Sequence, residues 1–462
     1  MGKLSMTAAL LVFLLYMCFL PFSASESTYM SFPLTNRDAK SSVIRVQEAD
    51  ASDMPENMPM KDFVATGRAM QKRMKRHRRA VDKPGPLVGS FTYLKENVGD
   101  FYLTISVGSP PQHLIFTLDT GSELTWTQCK PCKVCGASGG PVFSFNKSSS
   151  YVPVPCKSPI CSQSLGFSGG CGNSTGKCIF QLQYGDGSVD AGYLSVDTFH
   201  LSRNMSESFV FGCAVITIET VPIPISGIMG LNAGPYSFTS QLFSRNANLP
   251  RRFAYCLPDR FLNLNAEGTM LFGEYKIPTR MTQYTPLVPP YGPLGDLYYF
   301  VDLEGISVGK KFIKGPVMNT GLELGGTIFD SGTAVTHLMR PLYLQLLAEV
   351  RRQTTHLHPF AVNGTASDLC YTVPLQASQL PKMPVVTMHF RGGAELELGA
   401  ESLLYAYGYD NNSIVLCLAF LSTQTSLSIN IIGNYQQQNY WVEYDLESSS
   451  IGLSKAKCPV RS

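Results

Sequence analysis

Apolar and polar positions alternate along much of the chain, with the period of two expected of a half-buried strand. "FYLTISVG" puts Phe101, Leu103, Ile105 and Val107 on one face, with Tyr, Thr and Ser between them. Similar runs recur in "SFVFGC", "TMLFGEY", "YYFVDLEGISVG", "VVTMHF", "SIVLCLAFL" and "YWVEYDL", separated by clusters of Gly, Pro, Asn and Ser that suit turns. The pattern predicts a mostly-β protein of many short strands. One helix is expected at "RPLYLQLLAEVRRQT". There Pro341 suits the first turn, Leu342, Leu346, Leu347 and Val350 share a face, and Arg351 and Arg352 meet the negative end of the dipole. "SFTSQLF" (Ser237–Phe243) is expected to form a shorter one.

The pattern also repeats. "IFTLDTGSELTW" (Ile115–Trp126) has a counterpart in "GTIFDSGTAVTHL" (Gly326–Leu338). Each copy is followed far downstream by a segment of two bulky residues and a glycine, "GIMGL" (Gly227–Leu231) and "NIIGN" (Asn430–Asn434). Two halves therefore share one plan, with the change of half near "TPLVPPYGPLGD".

Composition is that of an ordinary globular protein, 44% hydrophobic and 15% charged over 462 residues, which argues against disorder or coiled coil for the whole. The N-terminus reads as a secretory signal peptide with an apolar run from Ala8 to Leu20 and cleavage near Ser25. No later segment reads as a span or a lipid-anchor signal. Of thirteen cysteines, Cys18 lies in the signal peptide, and the twelve that remain suit six disulfides in an oxidising compartment. Metal-ligand spacing in "CKPCKVC" is the alternative for Cys129, Cys132 and Cys135, but no second pair completes a ligand set. Sequons at Asn146, Asn173, Asn204, Asn363 and Asn411 fit the same compartment.

The net charge of +3 is unevenly spread: residues 26–80 carry +4 and residues 81–462 carry −2. The steepest basic run is "KRMKRHRR" (Lys72–Arg79). Behind a signal peptide it reads as a removable prosegment or a solvated linker rather than a nucleic-acid patch.

Each repeat carries a carboxylate, Asp119 or Asp330, to the end of an apolar strand, where burying its charge is costly. An Asx-turn would explain one such acid; the repeat calls for more. Two like halves facing each other would bring Asp119 and Asp330 together. Two touching carboxylates share a proton, one driven to a low pKa and the other to a raised one. The charged member can act as general base for a water and the protonated one as general acid towards a carbonyl oxygen. No metal or cofactor is required. Gly121 and Gly332 would allow close backbone approach. Thr120 and Ser331 could bond across the pair, and Ser122 and Thr333 could orient the outer oxygens.

From about Gly99 to Cys458 the sequence resembles the pepsin-like aspartic proteases, and within them the nepenthesin-like plant branch. "QYGDGS" (Gln183–Ser188) resembles the family's flap turn, "GNYQQQNYWVEYDLESSSIGLSKAKC" its C-terminal segment, and Cys129 to Cys178 the branch's cysteine-rich insertion. The resemblance implies a bilobal fold of two related β-barrel lobes with the cleft between them. It divides the chain into signal peptide 1–25, prosegment 26–80, N-terminal lobe 81–284 and C-terminal lobe 285–462. It implies Tyr184, with Gly185 in the same turn, as the residue that closes over substrate, and Trp126 as its hydrogen-bond partner. The implied activity is cleavage of proteins at acid pH beside bulky hydrophobic residues, by a monomer that binds protein or peptide substrates, no nucleic acid and no membrane anchor, either secreted or vacuolar. The implied disulfides are Cys129–Cys132, Cys135–Cys213, Cys156–Cys178, Cys161–Cys171, Cys256–Cys458 and Cys370–Cys417. Glu123 and Ala334 stand where the family usually has Asp and Thr.

Two other classes remain. An inactive binding protein of the same fold, such as a glycosidase inhibitor, would lack catalytic residues that this chain retains. "GFSGG" (Gly166–Gly170) matches a serine-hydrolase motif, which requires a strand before Ser168 and a helix after it. Ser168 instead sits in a small-residue loop between Cys161 and Cys171.

Overall fold

The computed structural model describes residues 29–36 and 101–458, apart from 135–139, 163–167, 173–174, 186, 203–204, 219–224, 260–266, 280, 289–294, 317–325, 363–366, 375–376, 378, 411 and 424–428. The protein is mostly β, as the alternation predicts, and its strands follow the repeat. In the first half, β1 (Tyr29–Asn36), β2 (Phe101–Val107), β3 (Gln112–Asp119), β4 (Trp126–Lys130), β5 (Val189–Ser202), β6 (Met205–Ile218), β7 (Gly227–Gly230), β8 (Arg252–Cys256) and β9 (Glu267–Gly273) belong to one large sheet. "GIMG" is β7, and it lies parallel to β3 with Gly230 opposite Asp119. It is antiparallel to β4, which is parallel to β6.

After β10 (Gln283–Pro286), the second half repeats this order. Here β11 (Thr327–Phe329), β12 (Thr336–Leu338), β13 (Phe420–Ser422) and β14 (Asn430–Ile432) form a sheet ordered β11–β14–β12–β13. Strand β14 is parallel to β11, with Ile432 opposite Phe329, and antiparallel to β12, which is parallel to β13. The downstream bulky-bulky-Gly segment of each repeat is thus the parallel neighbour of the strand that carries the acid. Strands β15 (Tyr440–Asp445) and β16 (Ser450–Lys455) return from the second half to the first, giving the run β10–β16–β15–β8–β9–β1–β2 that joins the halves.

Helices answer their sequence signals. Helix α1 (Phe238–Arg245) is capped by Ser237, whose side chain accepts from the Ser240 N–H, and α2 (Arg340–Gln353) has Pro341 in its first turn. Leu342, Leu346, Leu347 and Val350 of α2 are buried in the main core with Leu338 and Phe329. Residues Ser168–Cys171 are a strand, where a serine-hydrolase elbow requires a helix.

The cysteines depart from the expected pairing. Cys129 is joined to Cys213, Cys156 to Cys171 and Cys161 to Cys178. This replaces the expected Cys129–Cys132, Cys135–Cys213, Cys156–Cys178 and Cys161–Cys171. The reason is strand pairing: β4 and β6 lie side by side with Cys213 opposite Thr127, so Cys129 and Cys213 have Cα atoms 5.5 Å apart. The segment carrying Cys156 and Cys161 crosses the hairpin that carries Cys171 and Cys178. It meets them in the order that gives Cα separations of 4.9 and 5.6 Å. Cys132 is also in a disulfide, so Cys129 and Cys132 are not thiolate metal ligands; Cys135 lies outside the described residues. The structure joins Cys256 to Cys458 and Cys370 to Cys417. Asn146 is exposed in a short 3-10 turn, while the sequons at Asn173, Asn204, Asn363 and Asn411 lie outside the described residues, as does the basic run Lys72–Arg79. No helix among the described residues is long and apolar enough to cross a membrane.

Candidate active site

The two acids end their strands in matching turns. Asp119 closes β3 and Asp330 follows β11, and both are buried, with exposures of 7% and 8%. Each carboxylate accepts from the backbone N–H two residues on, Asp119 from Gly121 at 2.9 Å and Asp330 from Gly332 at 2.8 Å. The turns face each other. A Cβ on Gly121 would stand 2.5 Å from Asp330 Oδ2, and one on Gly332 would overlap Asp119 Oδ1. Both glycines are therefore demanded by the approach of one turn to the other's carboxylate.

Between the turns, Thr120 and Ser331 exchange bonds. The Thr120 N–H donates to Ser331 Oγ at 3.1 Å and the Ser331 N–H to Thr120 Oγ1 at 3.0 Å. Each hydroxyl then donates to a carbonyl on the opposite strand, Thr120 to Phe329 and Ser331 to Leu118, both at 2.9 Å. Asn434 and Gln437 of a short helix α3 (Asn434–Gln437) donate to the carbonyls of Ser331 and Asp330.

The outer oxygens are treated unequally. Thr333 donates to Asp330 from its hydroxyl at 2.6 Å and from its N–H at 3.2 Å. Ser122 Oγ is buried with no hydrogen-bond partner among the described residues, although it lies near enough to Asp119 to favour the charged form. Burial, and then the negative charge of Asp330, push the Asp119 carboxyl well above its ordinary range.

The turn between Gln183 and Val189 is closed by the Tyr184 N–H donating to the Ser188 carbonyl at 2.9 Å and the Gly187 N–H to the Tyr184 carbonyl at 3.0 Å. Gly185 in this turn is exposed. Trp126 Nε1 donates to the Tyr184 hydroxyl at 2.7 Å. The expected residues thus come together in two groups, the acid turns with their Thr and Ser partners and the Trp126–Tyr184 pair.

The chain is similar to known proteins over both of its halves. Residues 101–274 match the family described as xylanase inhibitor N-terminal, and residues 298–455 the one described as xylanase inhibitor C-terminal. Aspartyl protease family protein 2 of Arabidopsis thaliana is 35% identical over 369 residues, covering 79% of this chain and 72% of that protein. The chain belongs to the plant pepsin-like aspartic proteases. Aspartic proteinase nepenthesin-1 of Nepenthes gracilis is 31% identical over 369 residues, covering 78% of each. Among solved structures, edgp aligns with a TM-score of 0.59 at 20% identity, covering 77% of this chain and 92% of that one. Basic 7S globulin from soybean aligns with a TM-score of 0.59 at 19%, covering 78% and 94%. These two likenesses concern the fold alone.

Two residues near the acids, Tyr298 and His337, went unnoticed in the sequence. Tyr298 is half-buried, and its phenol is pushed up to about 12 by burial and by the charges of Asp330, Asp119 and Glu123. Glu123 is buried and accepts from the Tyr236 N–H at 3.0 Å, so its role is to hold the turn at residues 232–236. His337 stands on β12, close enough to feel Asp330. Tyr298 lies outside both acid motifs, and His337 sits at the end of the second, where only the register of its strand reveals its place.

Proposed function

We propose that the chain is an aspartic endopeptidase, secreted or vacuolar, that hydrolyses peptide bonds at acid pH beside bulky hydrophobic residues. The observation that carries this reading is the reciprocal approach of the two Asp turns, each glycine pressed against the other turn's carboxylate. In the working state the pair holds one proton. Burial favours that proton on Asp119, and the negative charge is better placed on Asp330, among the Gly332 and Thr333 donors. Asp330 takes a proton from a water, whose oxygen bonds to the carbonyl carbon, while Asp119 gives its proton to the carbonyl oxygen. The tetrahedral diol then loses a hydroxyl proton to Asp119 while Asp330 gives its proton to the amide nitrogen, the C–N bond breaks, and the amine leaves. Tyr184, held by Trp126, would close over the peptide.

A second reading, an inactive binder, is favoured by the matched families' description as xylanase inhibitor. The two acids and the bonds that tie their turns together weigh against it. A peptide-library digest with the purified protein between pH 3 and 7 tests both. Cleavage that disappears in Asp119→Asn supports the protease; no cleavage at any pH, with retained tight binding of a glycosidase, supports the binder.

A further inference from the structure

One row of side chains crosses the second-half sheet. The registers set Ile328 opposite Ile431, Ile431 opposite His337, and His337 opposite Leu421, and residues directly opposite share a face. Alternation carried one residue past β11 puts Asp330 on the face of Ile328. Thr336 and Leu338, on either side of His337, point the other way. Leu338 is in the main core, and the Thr336 hydroxyl donates to Gln436 Oε1. Tyr298 packs in one cluster with Ile328 and Ile431, and it feels both acids. The row is therefore a packed face beside Asp330, apolar except for one imidazole.

That imidazole is differently placed from the other described histidines. His113 is bonded to Ser106, His200 to Ser206 and the Gly108 carbonyl, His356 to the Lys382 carbonyl, and His389 to Ser307 and Glu395. His358 is exposed. His337 is half-buried, and neither ring nitrogen has a hydrogen-bond partner among the described residues. A polar group that is partly desolvated and unbonded is suited to a partner that arrives with the substrate.

We propose that His337 selects charge in the substrate cleft, its imidazolium binding an acidic side chain of the peptide at one position near the scissile bond. This rests on the protease reading. The groups facing it are few. β11 contributes Asp330, β14 and β13 contribute Ile431 and Leu421, and the neighbouring segment contributes Tyr298, neutral throughout the acid range. Helix α3 carries no charge; the charges of α2, on Arg340, Glu349, Arg351 and Arg352, lie on a helix that packs through Leu342 and Leu346 on the Leu338 side. Burial lowers the His337 pKa from its ordinary 6.5, and the charge of Asp330 opposes this. A substrate glutamate ionises above about 4.3. Selection thus operates in a window, above the glutamate value and below that of His337.

The test uses non-hydrolysable reduced-amide peptides, paired Glu against Gln at each position from three residues before the bond to three after, titrated calorimetrically into the purified protein at pH 3, 5 and 7. At one position the Glu peptide is expected to bind about tenfold more tightly than its Gln partner at pH 5, with the ratio near one at pH 3 and 7. His337→Gln should flatten it at all three, and His337→Arg should keep it at pH 5 and extend it to pH 7. A ratio that ignores pH in the wild type, or survives in His337→Gln, overturns the proposal. Hydrolysis of the ordinary-amide Gln peptide is scored separately. Its absence beside an intact pH-dependent ratio overturns only the protease reading, and absence of all binding overturns both.

Discussion

Thr120 and Ser331 hold the two halves of the protein together at the point where the acids meet: each N–H donates to the other's hydroxyl, at 3.1 and 3.0 Å. Each hydroxyl also donates to a carbonyl across the junction, so losing either one costs two bonds and leaves a buried N–H unpaired. Thr120→Ala or Ser331→Ala should therefore destabilise by about 2–4 kcal/mol and lower kcat, because the acids lose their spacing. Thr120→Ser keeps the hydroxyl and should stay near wild type in both. Equal melting temperatures for Thr120→Ala and wild type, measured by calorimetry, would refute the role of this exchange.

The raised pKa of Asp119 has a consequence for stability. A folded-state value above the ordinary 3.8 means the native chain holds a proton that the unfolded chain releases. The associated stability is full below 3.8 and is lost as pH rises through the folded value. Asp119→Asn removes this slope and should abolish peptide cleavage. The variant should match the wild type in stability near pH 3.5 and exceed it at pH 6.5, read as a higher melting temperature. A wild type that keeps pace with the variant as pH rises would contradict the shared-proton description.

Much of this site was legible because chemistry and local pattern coincide. Asp119, Gly121 and their counterparts Asp330 and Gly332 each sit at a strand end marked by apolar residues before and turn residues after. The repeat also flagged Gly227–Leu231 and Asn430–Asn434, which turned out to flank the acid-bearing strands. What escaped depends on non-local pairing. His337 is one residue in an ordinary short strand, and only its register against Ile431 and Leu421 sets it beside the acids. Cysteine spacing likewise could not choose among partners that strand order brings within reach.

Trp126 and Tyr184 offer a separable test of the flap. The indole N–H donates to the phenol oxygen at 2.7 Å, so Trp126→Phe frees the tyrosine without changing the acids. Cleavage of a library-selected peptide should fall about tenfold in kcat/KM, with the pH optimum unmoved. Tyr184→Ala should show a fall at least as large. A Trp126→Phe enzyme with wild-type kcat/KM would show that the bond does not position the flap.

Disulfide connectivity can be read directly. Non-reducing digestion and mass spectrometry should yield linked peptides for Cys129–Cys213, Cys156–Cys171, Cys161–Cys178, Cys256–Cys458 and Cys370–Cys417. Recovery of Cys129 linked to Cys132, or of Cys156 linked to Cys178, would restore the pairing that the sequence resemblance implies.

Strand β1 bears on how the protein matures. It lies inside the sheet that joins the halves, with Tyr29 to Thr35 opposite Gly273 to Glu267 on β9 and Thr35 and Asn36 opposite Tyr102 and Phe101 on β2. In the proposed division of the chain it belongs to a prosegment, and processing between Ala80 and Gly99 would leave it held by its ladder alone. The +4 charge of residues 26–80 against −2 for residues 81–462 supplies a second hold, which weakens as carboxylates protonate near pH 4. Acid should therefore loosen the segment and allow self-cleavage. Incubated at pH 4 without other proteases, the wild-type precursor should convert while the Asp119→Asn precursor stays intact. Hydrogen exchange adds an independent reading: amides of Glu267–Gly273 should be protected in the precursor at neutral pH and lose protection when the 29–36 peptide dissociates. Conversion of the Asp119→Asn precursor at the wild-type rate would assign the cut to another protease. Unchanged protection at Glu267–Gly273 after the peptide has gone would mean that another segment has taken the place of β1.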